Sequence, residues 1–365
     1  MLTAYLHARI FTGEVFVQDH AVLVHDRRIV SVLPVGAVPA DARRVDLQGA
    51  LLAPAFIDLQ LYGGNGRLLV QQPDAATIKA TYDYCMAGGA THFMITLPTT
   101  SFEIMEQGMQ AVRDYWAQGG QGCLGLHLEG PFMNPAKKGA HLEKYIKQPT
   151  TADIDWILEK GRDTVKYMTL APERCDPALV ARLQDAGIVI SAGHSNATYE
   201  EATLGFQQGI STATHLFNAM SPLQGREPGM VGAIYDNPRV AVSVVADGVH
   251  VDFNSIRISK QILGDRLFLI TDAVTENPAG DYVYLFRQDR YVNGLGVLAG
   301  SCLTQLQGVK NCVEKVGLTL AESLRMASLY PARAAGLHTK GRIAPGYDAC
   351  FVVLDAALQL KEVIV

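Results

Sequence analysis

The sequence predicts an α/β fold: a (β/α)8 barrel of the TIM type, with a small β-sandwich domain built from both chain termini. Three observations carry this. Apolar runs alternate with helical segments through most of the chain, the signature of βα units around a parallel sheet. Eight such runs can be counted. Short strands bounded by turn residues fill the first fifty positions, and the last stretch has the same character. The expected division is 1–52 and 339–365 for the small β domain, with 53–338 as the barrel.

In chain order, the amino-terminal strands are read at 15–17, 21–24, 29–32 and 45–47, between turn signals such as Gly13, Asp19, Asp26-Arg27 and Pro34. The barrel runs follow at 53–59, 91–97, 123–128, 166–170, 188–191, 211–214, 240–245 and 267–270. Most end within a residue or two of something chemically capable: Asp58 and Gln60, Thr99, Glu129, Glu173, His194, His215, Asp247 with His250, and Asp272. In a barrel of this kind the functional face is the one at the carboxyl ends of the strands. The carboxyl-terminal strands are read at 349–354 and 360–365.

Composition narrows the class further. The chain has 365 residues, 48% hydrophobic and 18% charged, so a large core needs no staples. Its 31 basic and 36 acidic side chains leave −5, which argues against a nucleic-acid footprint. Six scattered cysteines without a Cys-x-x-Cys pair read as reduced thiols. Residues 1–10 lack the apolar core of a signal peptide, and no run of 18 apolar residues occurs. A soluble cytoplasmic protein without membrane contact is expected.

The strongest chemical signal is Glu129, His194 and His215, each directly after a buried run. Two imidazoles and a carboxylate delivered to one rim form a three-ligand catalytic metal set with a position left open. Zinc fits, and iron, cobalt or manganese would be accepted too. Asp272, at the end of the last run, reads either as a proton carrier beside that centre or as a helix N-cap. His127 points the same way as Glu129 by strand alternation and reads as a packed core histidine or as support for the ligands. Gly63-Gly64-Asn65-Gly66 is read as a flexible barrel loop, and His7, His20, His25, His92 and His338 as structural.

Six ordered motifs carry a family resemblance. They are Leu126-His127-Leu128-Glu129-Gly130-Pro131, Gly193-His194-Ser195-Asn196-Ala197-Thr198, His215-Leu216-Phe217-Asn218-Ala219-Met220, Gly225-Arg226-Glu227-Pro228-Gly229, Ala246-Asp247-Gly248-Val249-His250 and Thr271-Asp272-Ala273. The chain resembles the N-acetylglucosamine-6-phosphate deacetylase family of the amidohydrolase superfamily, over essentially its whole length. The resemblance implies hydrolysis of the acetamide of N-acetyl-D-glucosamine 6-phosphate, with a metal-activated water. It implies Glu129, His194 and His215 as metal ligands, Asp272 as general acid/base and His141 as the group that polarises the acetyl carbonyl. It implies sugar-phosphate contacts from Ala140, Asn218, Ala219, Arg226, Asp247, Gly248, Val249, His250, Leu298, Ala299 and Gly300. It further implies a homodimer, or a dimer of dimers, in which Arg226 is donated across the interface.

One departure from the superfamily matters. Many amidohydrolases carry His-x-His after the first strand, helping to hold a second metal; here Gln60-Leu61-Tyr62 stands there. Gln60 is a neutral partner and Tyr62 a poor ligand at neutral pH. No lysine ends the fourth run, where Ala171-Pro172-Glu173 stands, so a single divalent ion is expected. The same features argue against the alternatives of a dihydroorotase-like or cyclic-imide hydrolase. An intact ligand set with Asp272 argues against a non-catalytic sugar-phosphate binding protein.

Overall fold

The computed structural model describes residues 1–365. Eight parallel strands follow one another around the barrel: β1 (Phe56–Leu61), β2 (Ala90–Pro98), β3 (Cys123–Glu129), β4 (Val165–Leu170), β5 (Val189–Ala192), β6 (Thr212–Ala213), β7 (Ala241–Val244) and β8 (Leu267–Leu269). Each pairs with the next in sequence order. Their residues are buried almost throughout, which is why they read as continuous apolar runs.

The seam between β8 and β1 closes just beyond the strands. The Asp272 N–H donates to Gln60 O at 2.9 Å, and the Tyr62 N–H to Ala273 O at 2.9 Å. Below them the buried Asp58 carboxylate accepts from the Thr271 N–H at 3.2 Å and from the Thr271 hydroxyl. The first and last strands are therefore locked together at the level where Gln60, Tyr62 and Asp272 emerge.

Helices start where short polar side chains can cap them. Thr150 caps Thr151–Gly161 in a reciprocal box with Asp153, and Thr198 caps Tyr199–Gln207 in another with Glu201. The second cap fixes the chain four residues beyond His194. No helix is long and apolar enough to cross a membrane, and all six cysteines are free thiols.

Both termini build a two-sheet sandwich beside the barrel. One sheet contains Thr3–Leu6, His20–His25, Arg28–Pro34 and Arg43–Asp46; the other contains Arg9–Phe11, Phe16–Val17, Leu51–Pro54, Phe351–Leu354 and Leu360–Ile364. Val22, Val24 and Ile29 from the first meet Ile10, Leu52, Phe351 and Val353 from the second in one apolar cluster. The apolar stretch beginning at residue 51 is split at Ala55. Leu51–Pro54 pairs antiparallel with Phe351–Leu354, and only Phe56–Leu61 enters the barrel. Both halves are buried, so hydrophobicity alone does not mark the crossing.

Two local features differ from the sequence reading. Residues 63–66 are no flexible loop: Gly63–Gly64 pairs with Arg67–Leu68 across a two-residue turn. Asn65 and Gly66 have φ of 50° and 81° there, as a type I′ turn requires. Gly63 is obligatory, since a Cβ would lie 2.0 Å from Arg67 O. A three-stranded antiparallel sheet of Leu285–Arg287, Arg290–Val292 and Leu298–Ser301 fills the segment after β8.

Acid sensitivity follows from His92 in β2. Burial, helped by the nearby positive Lys340, pushes its imidazole down to about 3. The unfolded chain takes up this proton near the ordinary value of about 6.5, well before the folded one. Stability from this group is complete above about pH 6.5 and declines as pH falls toward 3, by at most about 1.4 kcal/mol per pH unit. Urea midpoints measured between pH 7 and 4 should fall, and less steeply in His92→Gln.

Candidate active site

Glu129 is the last residue of β3, and His194 and His215 follow β5 and β6 by two residues each. All three are buried. Glu129 Oε1 lies 3.3 Å from His194 Nε2 and 3.1 Å from His215 Nε2, and the two nitrogens are 3.1 Å apart. The other nitrogen of His194 lies 2.9 Å from Lys137 O, an atom that only accepts, so Nε2 of that ring presents a lone pair. Nδ1 of His215 is buried without a partner. Three electron-rich atoms converge with too few hydrogens between them, which suits a divalent cation.

His141 is the fourth side chain at this centre, its Nε2 lying 3.1 Å from Glu129 Oε2. Glu129, His141 and His194 also lie close enough together to form a ligand triplet by distance alone. Hydrogen bonding separates the roles. The Thr99 N–H donates to His141 Nδ1 at 3.1 Å, so the neutral ring carries its hydrogen on Nε2 and offers a donor, not a lone pair.

Glu129 and Asp272 are linked by neutral groups. Gln60 Nε2 donates to Glu129 Oε1 at 2.8 Å and to Asp272 Oδ1 at 2.9 Å. The Thr214 hydroxyl donates to Gln60 Oε1, which fixes the amide with its nitrogen toward the carboxylates. The Tyr62 hydroxyl donates to Glu129 Oε2 and lies 3.2 Å from Asp272 Oδ1. Burial alone would raise Glu129, but the His141, His194 and His215 imidazoles around it hold it well below the usual carboxylate range. Burial and the neighbouring Glu129 charge raise Asp272, with His215 and His250 pulling the other way. Burial and His141 push His194 down to about 4.

The remaining expected residues fall into three groups. Ala140, His141, Asn218, Ala219, His250, Leu298, Ala299 and Gly300 line one cavity of about 140 Å³ together with the ligand set, Tyr62 and Asp272. Asp247, Gly248 and Val249 do not line it. They form the turn that presents His250: Asp247 Oδ1 accepts from the Val249 and His250 N–H groups at 2.8 Å, and Oδ2 holds His250 Nδ1 at 2.6 Å. His250 Nε2 then faces Asp272 Oδ2 at 3.8 Å. Arg226 is exposed and lines a separate cleft with Asn196, Thr198 and Ser221.

His127 lies below the centre with both ring nitrogens spent, Nδ1 on Leu59 O at 3.0 Å and Nε2 on the Thr169 hydroxyl at 2.8 Å. It packs the barrel interior and leaves nothing for a metal. Tyr62, which the sequence reading considered only as a poor metal ligand, is the most prominent addition to the site. Alternation from Asp58 and Gln60 points its side chain inward, and that signal was available.

Such a ligand set at the carboxyl ends of barrel strands defines a metal-dependent hydrolase site. Residues 51–365 match the model of the amidohydrolase family and residues 3–52 that of the NagA composite domain, and the chain belongs to the amidohydrolase family. It is 35% identical, over 100% of its length and 98% of the relative's, to N-acetylglucosamine-6-phosphate deacetylase of Haemophilus influenzae. It is 31% identical, over 99% and 98%, to N-acetylgalactosamine-6-phosphate deacetylase of Escherichia coli O157:H7. The crystal structure of the Pasteurella multocida N-acetylglucosamine-6-phosphate deacetylase superposes with a TM-score of 0.95 at 33% identity, covering 100% of this chain and 98% of that one. An aspartate-to-alanine variant of the Mycobacterium smegmatis enzyme, in complex with N-acetyl-D-glucosamine-6-phosphate, superposes at 0.90 with 32% identity, covering 100% and 97%.

Asp272→Asn keeps the shape at the end of the barrel and removes the carboxylate expected to act as the base. Hydrolytic kcat should fall by at least about 10²-fold, while bound metal, measured by elemental analysis, stays at the wild-type level. Parallel loss of metal and activity would make Asp272 a ligand instead.

Proposed function

We propose that this protein hydrolyses the acetamide of N-acetyl-D-glucosamine 6-phosphate to D-glucosamine 6-phosphate and acetate, using one divalent ion held by Glu129, His194 and His215. The observation that carries this reading is the convergence of Glu129 Oε1 with two imidazole Nε2 atoms opposite Asp272 in one buried cavity. A bound divalent ion, zinc first among the candidates and iron, cobalt or manganese after it, supplies Lewis acidity toward water and the amide carbonyl.

The chain's own residues do the rest. Asp272 keeps Oδ1 on the Gln60 amide, so Oδ2 takes the proton from water and returns it to the leaving nitrogen. His141, with its hydrogen on Nε2, donates to the carbonyl oxygen as charge develops there. Ala140, Leu298, Ala299 and Gly300 shape the sugar side of the cavity, and His250, aimed by Asp247, closes it beside Asp272. Asn218 spends its own N–H on His215 O at 2.9 Å, which leaves the neighbouring Ala219 amide for substrate oxygens.

Arg226 suits phosphate, with a planar fork of donors, but lines a cleft apart from the catalytic cavity of its own chain. We assign it to the partner's site in a homodimer or a dimer of such dimers. The free thiols and the excess of acidic residues fit action in the cytoplasm without nucleic acid.

An acetate-release assay on N-acetylglucosamine 6-phosphate, its galactosamine epimer and unphosphorylated N-acetylglucosamine, run with metal analysis, tests this directly. The first sugar should give the highest kcat/KM at about one ion per chain. The 31% identity to the N-acetylgalactosamine-6-phosphate deacetylase makes the epimer the competing reading, and its preference would overturn the sugar assignment. Two ions per chain, both required, would overturn the single-ion site.

Arg226→Ala should weaken transition-state binding of the phosphorylated sugar by about 1.5–3 kcal/mol and leave the unphosphorylated sugar nearly unaffected. Mixing Arg226→Ala with Asp272→Asn subunits under conditions of shown exchange should restore activity through hybrid dimers. If exchange occurs without recovery, Arg226 does not act across the interface.

A further inference from the structure

Tyr62 has no place in the reaction described above except as a neighbour of other groups, yet its surroundings are unusually constrained. Its hydroxyl meets three polar atoms: Glu129 Oε2, Asp272 Oδ1 at 3.2 Å and Gln60 Nε2 at 3.2 Å. Its backbone is tied to the seam through Ala273 O at 2.9 Å, and its carbonyl accepts from the Leu69 N–H at 3.1 Å across the short hairpin that follows. That hairpin admits only glycine at 63 and 64, where a Cβ would lie 2.0 Å from Arg67 O and 2.5 Å from Tyr84 Cβ. The phenol therefore arrives at Glu129 from a fixed direction.

The two oxygens of Glu129 have different company. Oε1 faces His194 Nε2, His215 Nε2 and Gln60. Oε2 faces only Tyr62 and His141, both donors. A buried carboxylate with one oxygen occupied by donors can turn only the other toward a cation. Asp272 Oδ1 lies 3.2 Å from the same hydroxyl and accepts from Gln60 Nε2 at 2.9 Å.

We propose that Tyr62 is a positioning residue that acts through Glu129: its hydroxyl occupies Oε2, so that Oε1 alone is presented with the two histidine nitrogens to the metal. This rests on Glu129 being a metal ligand, as argued above. Tyr62 thereby does with a neutral O–H part of what a charged or metal-held neighbour would do between two close carboxylates, and the tyrosine at this position becomes a determinant of metal affinity.

The test is Tyr62→Phe, which keeps the ring that packs against the cavity wall and removes only the hydroxyl. Zinc affinity is measured by chelator competition on wild type, Tyr62→Phe and Glu129→Gln, with circular dichroism and thermal unfolding of the metal-free proteins as the check on folding. Loss of a partner that orients a metal ligand costs about 10–100-fold in metal affinity or activity. Zinc dissociation constants in Tyr62→Phe should rise by at least about tenfold, and kcat at saturating zinc should fall with KM for the acetylated sugar phosphate within about twofold. Zinc affinity within twofold of wild type overturns the proposal, whatever kcat does. Should Tyr62→Phe unfold, Tyr62→Leu, which also lacks any donor, supplies a second variant: a folded protein with zinc affinity unchanged from wild type overturns the proposal equally. If Glu129→Gln leaves zinc affinity intact, the ligand assignment itself is wrong and the proposal falls with it. If Glu129→Gln abolishes binding and Tyr62→Phe does not weaken it, only the Tyr62 assignment falls.

Discussion

Glu129 and Asp272 share one buried cavity, joined by the amide of Gln60, which donates to both at 2.8 and 2.9 Å. Two carboxylates cannot both stay charged cheaply in so dry a place unless each finds compensation. They find different kinds. Glu129 sits among three imidazoles that hold it ionised, while burial and the negative Glu129 beside it raise Asp272. The same functional group is thereby suited to hold a cation on one strand and, in the proposed reaction, to carry a proton on another, a division set by surroundings. Thr214, by fixing the Gln60 amide, decides which face of that amide the carboxylates see.

Holding those side chains demands an unusual backbone. His194, His215 and Asp272 have φ of 47°, 36° and 55°, in the left-handed region that non-glycine residues seldom occupy. Such positions cost about 1–3 kcal/mol each and persist only where neighbours over-determine them. The neighbours are identifiable. The His215 N–H donates to the Ser243 hydroxyl at 2.8 Å, and the Ser195 hydroxyl after His194 donates to Glu173 at 2.7 Å. Asp272 is held by the Gln60 carbonyl on one side, and the Ser301 N–H reaches its own carbonyl at 3.0 Å on the other. Polar residues on adjacent strands thus stabilise the turns that aim the reactive ones inward.

The barrel was legible because buried parallel strands are apolar without interruption, and the convergence of Glu129, His194 and His215 because each comes directly after such a run. Their left-handed turns leave no trace in residue type. The split at Ala55 was hidden because the chain leaves one buried sheet and enters another without a polar residue between. The sheet at 285–301 was hidden for the opposite reason: Phe286 and Arg287 are exposed, so no buried alternation marks it. Asn65-Gly66 did carry a hairpin signal, and the glycine-rich context around it favoured a loop reading. The Asp247–His250 block shows the limit of motif transfer. It marks the right segment, but only the three-dimensional turn separates His250, which lines the cavity, from the three residues that hold it there.

The insertion after β8 ties Asp272 to the loop that bears His141. The Tyr282 hydroxyl donates to Thr99 O at 2.6 Å, and the N–H of the same Thr99 fixes the tautomer of His141. Asp281, next in the chain, holds Lys144 and Tyr145 at 2.9 Å on the far side of the His141 loop. The segment that begins at Asp272 therefore returns to grip the loop bearing His141, and its last strand supplies Leu298, Ala299 and Gly300 to the cavity wall. A displacement of this insertion would move the sugar wall and loosen His141 at once. In the proposed reaction, substrate fit and carbonyl polarisation are therefore mechanically coupled through one segment.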